Sequence, residues 1–451
     1  MLDTYNPICR KLHESIKNSW LPNYIYGYPP KRAYRKFKVP IDLTDIWNIR
    51  NEQINLYIHI PFCNYKCTYC TLLSAKVTNK DIHKEYINSL IREIEFYGKL
   101  VGPKIIDSVY IGGGTPTVLS NELLDSLFDT IRKSFPNISS NTEFAIEGSP
   151  DSLDQDKLNY LKSIGINRIS MGIQTFNEEE LKKTGRPYSM DIAIKAINNI
   201  NKLNFKNFNL DLIYGLENQT KDSWLYSLNK VIQFKPNSIN LYPVVFRPLS
   251  GIQKAKENNK NFLNDTSRYE LYDLSIEYMT NNGYRQETFV SFTNLDVDGY
   301  KQQVSDFQGN PLIGCGVGAR SYTGNIHYST DYVVTKESTL KMISNYINND
   351  FKRLIEYGFV LNMDEQKRRY IILNLLINKF NCFSYKQIFN LEIFDEFKLE
   401  FDALEQEECI KLNRDNGDIR LTSKGFKYSN IIGSLFYSEN VNNLEKNFKD
   451  K

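Results

Sequence analysis

The sequence predicts an α/β protein built on a largely parallel sheet, and three observations lead there. Between residues 56 and 281, short apolar runs rich in β-branched residues alternate six times with amphipathic stretches of helix length. Each run is apolar throughout, as a strand buried on both faces should be. The chemically unusual residues recur at the ends of these runs, and parallel strands place all such ends on one rim.

Taken in order, "LYIHI" at 56–60 reads as strand one and is stopped by Pro61. Ile82, Tyr86, Leu90 and Ile94 mark a helix over 81–100. "DSVYI" at 107–111 precedes a helix at 120–134, and "EFAIE" at 143–147 one near 154–163. "RISMGI" at 168–173 leads to a helix at 190–203, and "NLDLIYGL" at 209–216 to one at 222–234. "INLYPVV" at 239–245 comes before a long helical stretch at 266–281. Six such units can form an open doubly wound sheet or a curved partial barrel.

A chain of 451 residues has room for two or three domains and a large core. Net charge is +3 with 24% charged residues, which gives no reason to expect nucleic-acid binding. No run of about 18 apolar residues suggests a membrane span, and "MLDTYNPICRKLHESIKNSW" lacks the apolar stretch of a signal peptide. A cytoplasmic protein is expected, in which thiols stay reduced and clustered cysteines mean metal or catalysis. Cys9, Cys315, Cys382 and Cys409 are scattered singly and read as small buried hydrophobes.

The other three cysteines, Cys63, Cys67 and Cys70, lie within "HIPFCNYKCTYC", directly after strand one and flanked by Tyr65 and Tyr69. Four thiolates close a zinc or cluster site, whereas three on a [4Fe–4S] cluster leave one iron open. A zinc site would want a fourth ligand, and the nearest candidate, His59, sits inside strand one. The rim holds more: "GGGTPT" (112–117) after strand two, Glu147 ending strand three, Gln174 ending strand four, Asp211 within strand five and Val245 ending strand six. Each has a plainer reading. Asp211 could be a structural acid, Glu147 a cap for the next helix, Tyr57 core, and Arg186 in "TGRPYS" a solvated loop residue.

"YIHIPFCNYKCTYC", with "GGGTPT", "GINRISMGIQTF" and "DLIYGL", resembles radical S-adenosylmethionine (SAM) enzymes, in particular the oxygen-independent coproporphyrinogen III oxidase-like branch. The resemblance spans about residues 53–440. It implies a partial (β/α)6 barrel and, from "LINKFNCFSYKQIF" through "RLTSKGFKYSNIIGSLF", a small C-terminal helical, winged-helix-like domain. The expected divisions are an N-terminal extension (1–50), the barrel (51–285), a connecting segment completing the active site (286–360) and the C-terminal domain (361–451). In that superfamily the open iron chelates SAM, and reduction of the cluster yields a 5′-deoxyadenosyl radical.

The resemblance carries roles onto matching positions. Cys63, Cys67 and Cys70 match the cluster ligands. Tyr57, Gly113, Glu147 and Val245 match positions that hold the cluster-bound SAM, where glycines admit a ligand close to the backbone and a carboxylate binds ammonium or hydroxyl groups. Tyr69, Gly114, Thr115, Gln174, Arg186 and Asp211 match a second SAM site, so two SAM per chain are expected. Arg320, in "GCGVGARSY", stands beside the first SAM where the oxidases have an apolar residue. "GLENQT" has Glu217 where the family has proline. "YIYGYPPKRAYR" (24–35) departs from the oxidase pattern and is closer to relatives that methylate or cyclopropanate their substrates. Its Lys31, Arg32 and Arg35 suit an anionic group or a basic surface turn equally.

Three functions follow from the resemblance: transfer of a methyl or methylene carbon from the second SAM to an unsaturated small molecule, oxidative decarboxylation of coproporphyrinogen III, and haem carriage by a chaperone of the same branch. The first is the leading expectation. The partners implied are a small-molecule substrate and an electron donor such as flavodoxin or ferredoxin, acting on a monomer with neither nucleic acid nor membrane.

Overall fold

The computed structural model describes residues 7–22, 24–49, 53–258, 261–297, 309–348, 351 and 353–449. All six predicted strands form: Gln53–Ile60, Ile105–Gly113, Asn137–Gly148, Arg168–Gln174, Asn207–Tyr214 and Ser238–Pro243. They lie side by side in chain order, each parallel to the next. That order decides between the two architectures left open by the sequence. A doubly wound sheet reverses its order about the first strand, whereas here the chain winds in one direction, as in a barrel.

The barrel is partial. Beyond strand six the sheet continues with antiparallel Ser291–Asn294 and Tyr284–Gln286. Beyond strand one come Leu312–Cys315, still parallel, and then four antiparallel strands: Arg320–Tyr322, Ile326–Ser329, Leu354–Val360 and Arg35–Asp42. None of these flanking strands was predicted, Arg35–Asp42 included. Its register with Leu354–Val360 shifts between Lys36 and Ile41, as befits an edge strand carrying a proline, Pro40.

The predicted helices are found at Lys80–Val101, Asn121–Ser134, Gln155–Ser163, Met190–Leu203, Lys221–Gln233 and Asp265–Asn281. Local chemistry sets their ends. Asn79 caps the first through the Asp81 amide (2.9 Å), and Thr220 with Ser223 forms a reciprocal capping box on the fifth. A short helix, Glu178–Lys183, was not anticipated; Asn177 caps it through two amides. Strand six ends at Pro243, so Val245 lies in the following loop and does not end the strand as expected.

One apolar core lies between the barrel sheet and its helices. A second is formed by the C-terminal helices Met363–Leu376, Cys382–Phe389 and Lys398–Gln406, with a small antiparallel sheet ordered Phe380–Asn381, Asp418–Leu421, Ile410–Asn413. Cys9, Leu12, Ile25, Tyr28, Ala33 and Tyr34 join this second core. Tyr28 donates to Glu365, and Ser438 Oγ donates to the other Glu365 oxygen at 2.7 Å. The N-terminal segment is therefore anchored to the C-terminal core. The domain limits at 50, 285 and 360 remain a proposal, and residues 1–6, 23, 50–52, 259–260, 298–308, 349–350, 352 and 450–451 of those ranges lie outside the described residues.

Candidate active site

A cavity of about 700 Å³ opens at the C-terminal ends of the barrel strands, and all fourteen expected site residues line it. Cys63, Cys67 and Cys70 are half-buried free thiols, whereas Cys9, Cys315, Cys382 and Cys409 are buried in the cores as expected. The cysteine loop and the strand end before it are held by four backbone bonds to three other segments. Gly114 N donates to Ile60 O (2.7 Å), Thr115 N to Phe62 O (2.8 Å), Thr68 N to Thr184 O (3.0 Å) and Ile252 N to Thr68 O (2.9 Å). Asn64 and Tyr65 bond Asp151 (3.2 Å each). Lys66 Nζ donates to Ser74 O (2.9 Å) and Leu72 O (3.2 Å), drawing the loop around Cys70.

His59 is not available as a fourth ligand. Its Nε2–H donates to Leu73 O (2.8 Å), and its Nδ1 accepts from Tyr57 Oη (3.1 Å). Burial lowers its pKa to about 4, so the ring is neutral. It serves as a strut between strand one and the end of the cysteine loop.

Two glycines of "GGGTPT" are required by this packing. Gly113 has φ +111°, and a Cβ there would stand 2.6 Å from the His59 ring. A Cβ on Gly114 would stand 2.5 Å from Phe62 O and 3.0 Å from Cys63 Sγ. Beside them, Glu147 accepts from Tyr110 Oη (2.7 Å) and Gly113 N (3.0 Å). Burial pushes its pKa up to about 7 and the charge of Asp211 adds to this, against the pull of the two hydrogen bonds. Glu147 is not a helix cap: Ser149 and Asp154 cap the helical segments that follow strand three.

On strands four and five, Gln174 has φ +74° at a register shift in the pairing. Arg186 is no solvated loop residue. It is half-buried, donating to Gly172 O (2.6 Å), Tyr69 Oη (2.9 Å) and Tyr188 Oη. Asp211 Oδ1 accepts from Asn209 (2.7 Å) and Asn240 (2.9 Å), and no described residue bonds Oδ2. Burial raises its pKa, while the two amides and the Arg168 and Arg186 charges oppose the rise.

The departures noted in the sequence meet in space. Arg320 Nη2 donates to Tyr26 Oη (2.6 Å), and its guanidinium lies over the Tyr26 ring (4.9 Å). Tyr24 packs edge-on against Tyr242 of strand six (6.3 Å). The 24–28 segment thus spans the open seam between strand six and the strand Arg320–Tyr322. Lys31 is buried and lines the cavity, which excludes a surface turn for this residue. Arg35 instead bonds backbone carbonyls, including those of Arg32 and Tyr34, and Arg32 lies over Phe448 (5.8 Å). Glu217 faces Lys183 at 3.9 Å.

Sequence reasoning missed Tyr26, Tyr110, Asn240, Arg247, His327 and Arg369, all of which line the cavity. Only Tyr110, Asn240 and Arg247 carried a signal, as polar residues in or just after barrel strands. Among the described residues, no three His, Cys, Asp or Glu side chains are disposed to hold a single metal ion. A multi-iron cluster takes one thiolate per corner and needs its thiols further apart. The donor set of three loop thiols, with His59 engaged elsewhere, fits a cluster with one iron left open.

The Radical SAM superfamily profile matches residues 57–231. Over 312 residues the chain is 33% identical to the heme chaperone HemW of Buchnera aphidicola, covering 69% of this chain and 80% of that one. It is 28% identical over 444 residues to the oxygen-independent coproporphyrinogen III oxidase of Synechocystis sp., covering 93% and 92%. In fold it matches the Escherichia coli coproporphyrinogen III oxidase HemN with a TM-score of 0.79 at 23% identity, covering 92% and 96%. Its cofactors are those of this family, a [4Fe–4S] cluster and SAM. Motif, strand order, cavity and relatives agree: the chain belongs to the radical SAM superfamily, in the branch that holds the HemW heme chaperones and the oxygen-independent coproporphyrinogen III oxidases.

Proposed function

We propose that the chain is a radical SAM oxidoreductase that removes a hydrogen atom from a carboxylate-bearing small molecule and releases carbon dioxide, with coproporphyrinogen III as the substrate to test first. The observation that carries this is the single cavity in which the cluster thiols and all expected SAM positions converge, in a chain similar to the Synechocystis oxidase over 92% of that protein. When bound, the reduced cluster and SAM supply a 5′-deoxyadenosyl radical. The residues then have separate tasks. Cys63, Cys67 and Cys70 hold the cluster, with Lys66 organising their loop. Tyr57, Gly113, Glu147 and Val245 position the SAM at the open iron. Tyr69, Gly114, Thr115, Gln174, Arg186 and Asp211 hold a second SAM. Hydrogen-atom abstraction needs no side-chain base, so Glu147 binds and does not catalyse proton transfer. An external donor of the flavodoxin or ferredoxin type reduces the cluster, and the electron left on the substrate after carbon dioxide departs goes to an acceptor outside this chain.

Methyl or methylene transfer, the leading expectation from the 24–35 segment, finds no support among the relatives, which are oxidases and chaperones. Anaerobic turnover with SAM, reductant and coproporphyrinogen III separates the readings. Carbon dioxide with 5′-deoxyadenosine and no S-adenosylhomocysteine is expected; S-adenosylhomocysteine would sink the proposal.

Haem carriage is a second reading, favoured by the HemW relative and by one residue. His327 lines the cavity with both ring nitrogens unbonded, while His59 is fully engaged. Stoichiometric haem binding abolished by His327→Ala would establish it.

A further inference from the structure

The flank of the cavity built from strands Arg320–Tyr322 and Ile326–Ser329 is cationic. Lys31 enters it from the N-terminal turn, Arg320 from its strand, Arg369 from the first C-terminal helix, and Arg247 from the loop after strand six. Four distant parts of the chain thus bring positive charge to one wall.

Two of these cations are partnered by phenols. Arg320 bonds Tyr26 (2.6 Å) and Arg247 bonds Tyr332 (3.0 Å); both guanidiniums also bear electrostatically on Tyr26. Lys31, only 8% exposed, has no side-chain hydrogen bond among the described residues. No described carboxylate bonds Lys31, Arg247 or Arg320, and Asp331 is the one carboxylate whose charge acts on Lys31. The two cavity carboxylates are committed elsewhere, Glu147 to Tyr110 and Gly113, Asp211 to Asn209 and Asn240. Burial and the Arg320 charge hold the Lys31 pKa well below the usual lysine range. Phenols satisfy hydrogen bonds but leave charge uncompensated, and a buried lysine beside half-buried arginines, with no carboxylate bonded to Lys31, Arg247 or Arg320, is costly. A bound anion would relieve that cost.

We propose that Lys31, Arg247 and Arg320 form the receptor for a substrate carrying two or more acidic groups, carboxylate or phosphate, and that the 24–33 segment sets which acid is admitted. Guanidinium groups suit both oxyanions through paired N–H donors. The proposal rests on the reading that this cavity is the radical site, and adds the residues that read the substrate's acidic groups. It moves Arg320 from the SAM set to the substrate set.

The test is binding, without turnover, so that its failure is distinct from failure of the decarboxylation reading. Tricarballylate and inorganic pyrophosphate are titrated calorimetrically into full-length, cluster-loaded protein at low ionic strength, and SAM binding is followed in parallel by equilibrium dialysis. One equivalent of at least one probe is expected to bind. Lys31→Met and Arg320→Met should each weaken it tenfold or more, and Lys31→Met should leave SAM binding unchanged. Because Lys31→Met removes an unpaired buried ammonium, its melting temperature should hold or rise, which an ordinary structural role would not produce. Should that variant not fold, Arg247→Gln carries the same test. Preference for pyrophosphate assigns phosphate, and for tricarballylate carboxylate. Binding of neither probe, or unchanged binding in the variants, overturns the proposal. So does loss of SAM with anion binding intact.

Discussion

The two ends of the cavity are built in opposite ways. At the thiol end, the cysteine loop, "GGGTPT" and Glu147 come from consecutive barrel units, and backbone bonds of 2.7–3.0 Å lock them together. At the cationic end, Lys31, Arg247, Arg320 and Arg369 arrive from four segments spread over the chain, and tyrosine side chains tie Arg247 and Arg320. The first end is rigid and demands small residues at fixed places. The second depends on an N-terminal segment anchored in the C-terminal core through Tyr28 and Glu365. On the proposed reading, the barrel carries the cofactor chemistry, and Lys31 and Arg320, from outside it, join Arg247 in substrate choice.

The largest effect should fall on the thiol end. Cys67→Ala should lose the iron bound on anaerobic reconstitution, with its thiolate-to-iron absorption, while Cys315→Ala keeps both, since Cys315 is buried in the core outside the cavity. Full iron content in Cys67→Ala would break the assignment.

Next comes Gly113→Ala, which forces a side chain onto φ +111° and into the His59 ring. Strain and overpacking together should cost about 2–4 kcal/mol in denaturant unfolding. No comparable cost is expected for Tyr26→Phe at the other end, where a hydroxyl is lost without a change of backbone.

Glu147→Gln should weaken SAM binding by about 1.5–3 kcal/mol, the scale of a charged hydrogen bond. Its stability effect has a definite pH sign. The folded pKa of about 7 lies above the ordinary carboxyl value of 4.5, so the folded state holds more protons than the unfolded state between these values. The stabilisation is present at low pH and is lost as pH rises through 7. Glu147→Gln should therefore gain stability relative to the wild type from pH 5 to pH 8. A flat difference would place the carboxylate in a more polar setting.

The smallest effect is one of stoichiometry. Asp211→Asn should remove a second SAM equivalent in equilibrium dialysis and spare the first; one equivalent in both proteins would leave Asp211 a structural acid.

Legibility in the sequence follows the same division. The six strands and their helices were readable because each strand is short, largely apolar and buried on both faces, whereas the residues left the winding open and the strand order in the structure decided it. The thiol end was readable because its chemistry is packed into contiguous motifs. His327 and Arg369 were not, because nothing local distinguishes a cavity arginine or histidine from a surface one. Lys31 read equally as a receiver of an anionic group or as part of a basic turn until the fold separated it from Arg32 and Arg35, which point elsewhere. The edge strand Arg35–Asp42 escaped because its proline and charged residues do not resemble a buried strand.

The most direct test of a cavity with a radical end and an acid-reading end is isotope transfer. Coproporphyrinogen III deuterated on its propionate side chains is turned over anaerobically by wild type and Lys31→Met, and the deuterium in 5′-deoxyadenosine is measured. The account predicts deuterated 5′-deoxyadenosine from the wild type and, from Lys31→Met, SAM cleavage that persists with deuterium transfer at least tenfold lower. Equal transfer by both proteins would contradict it.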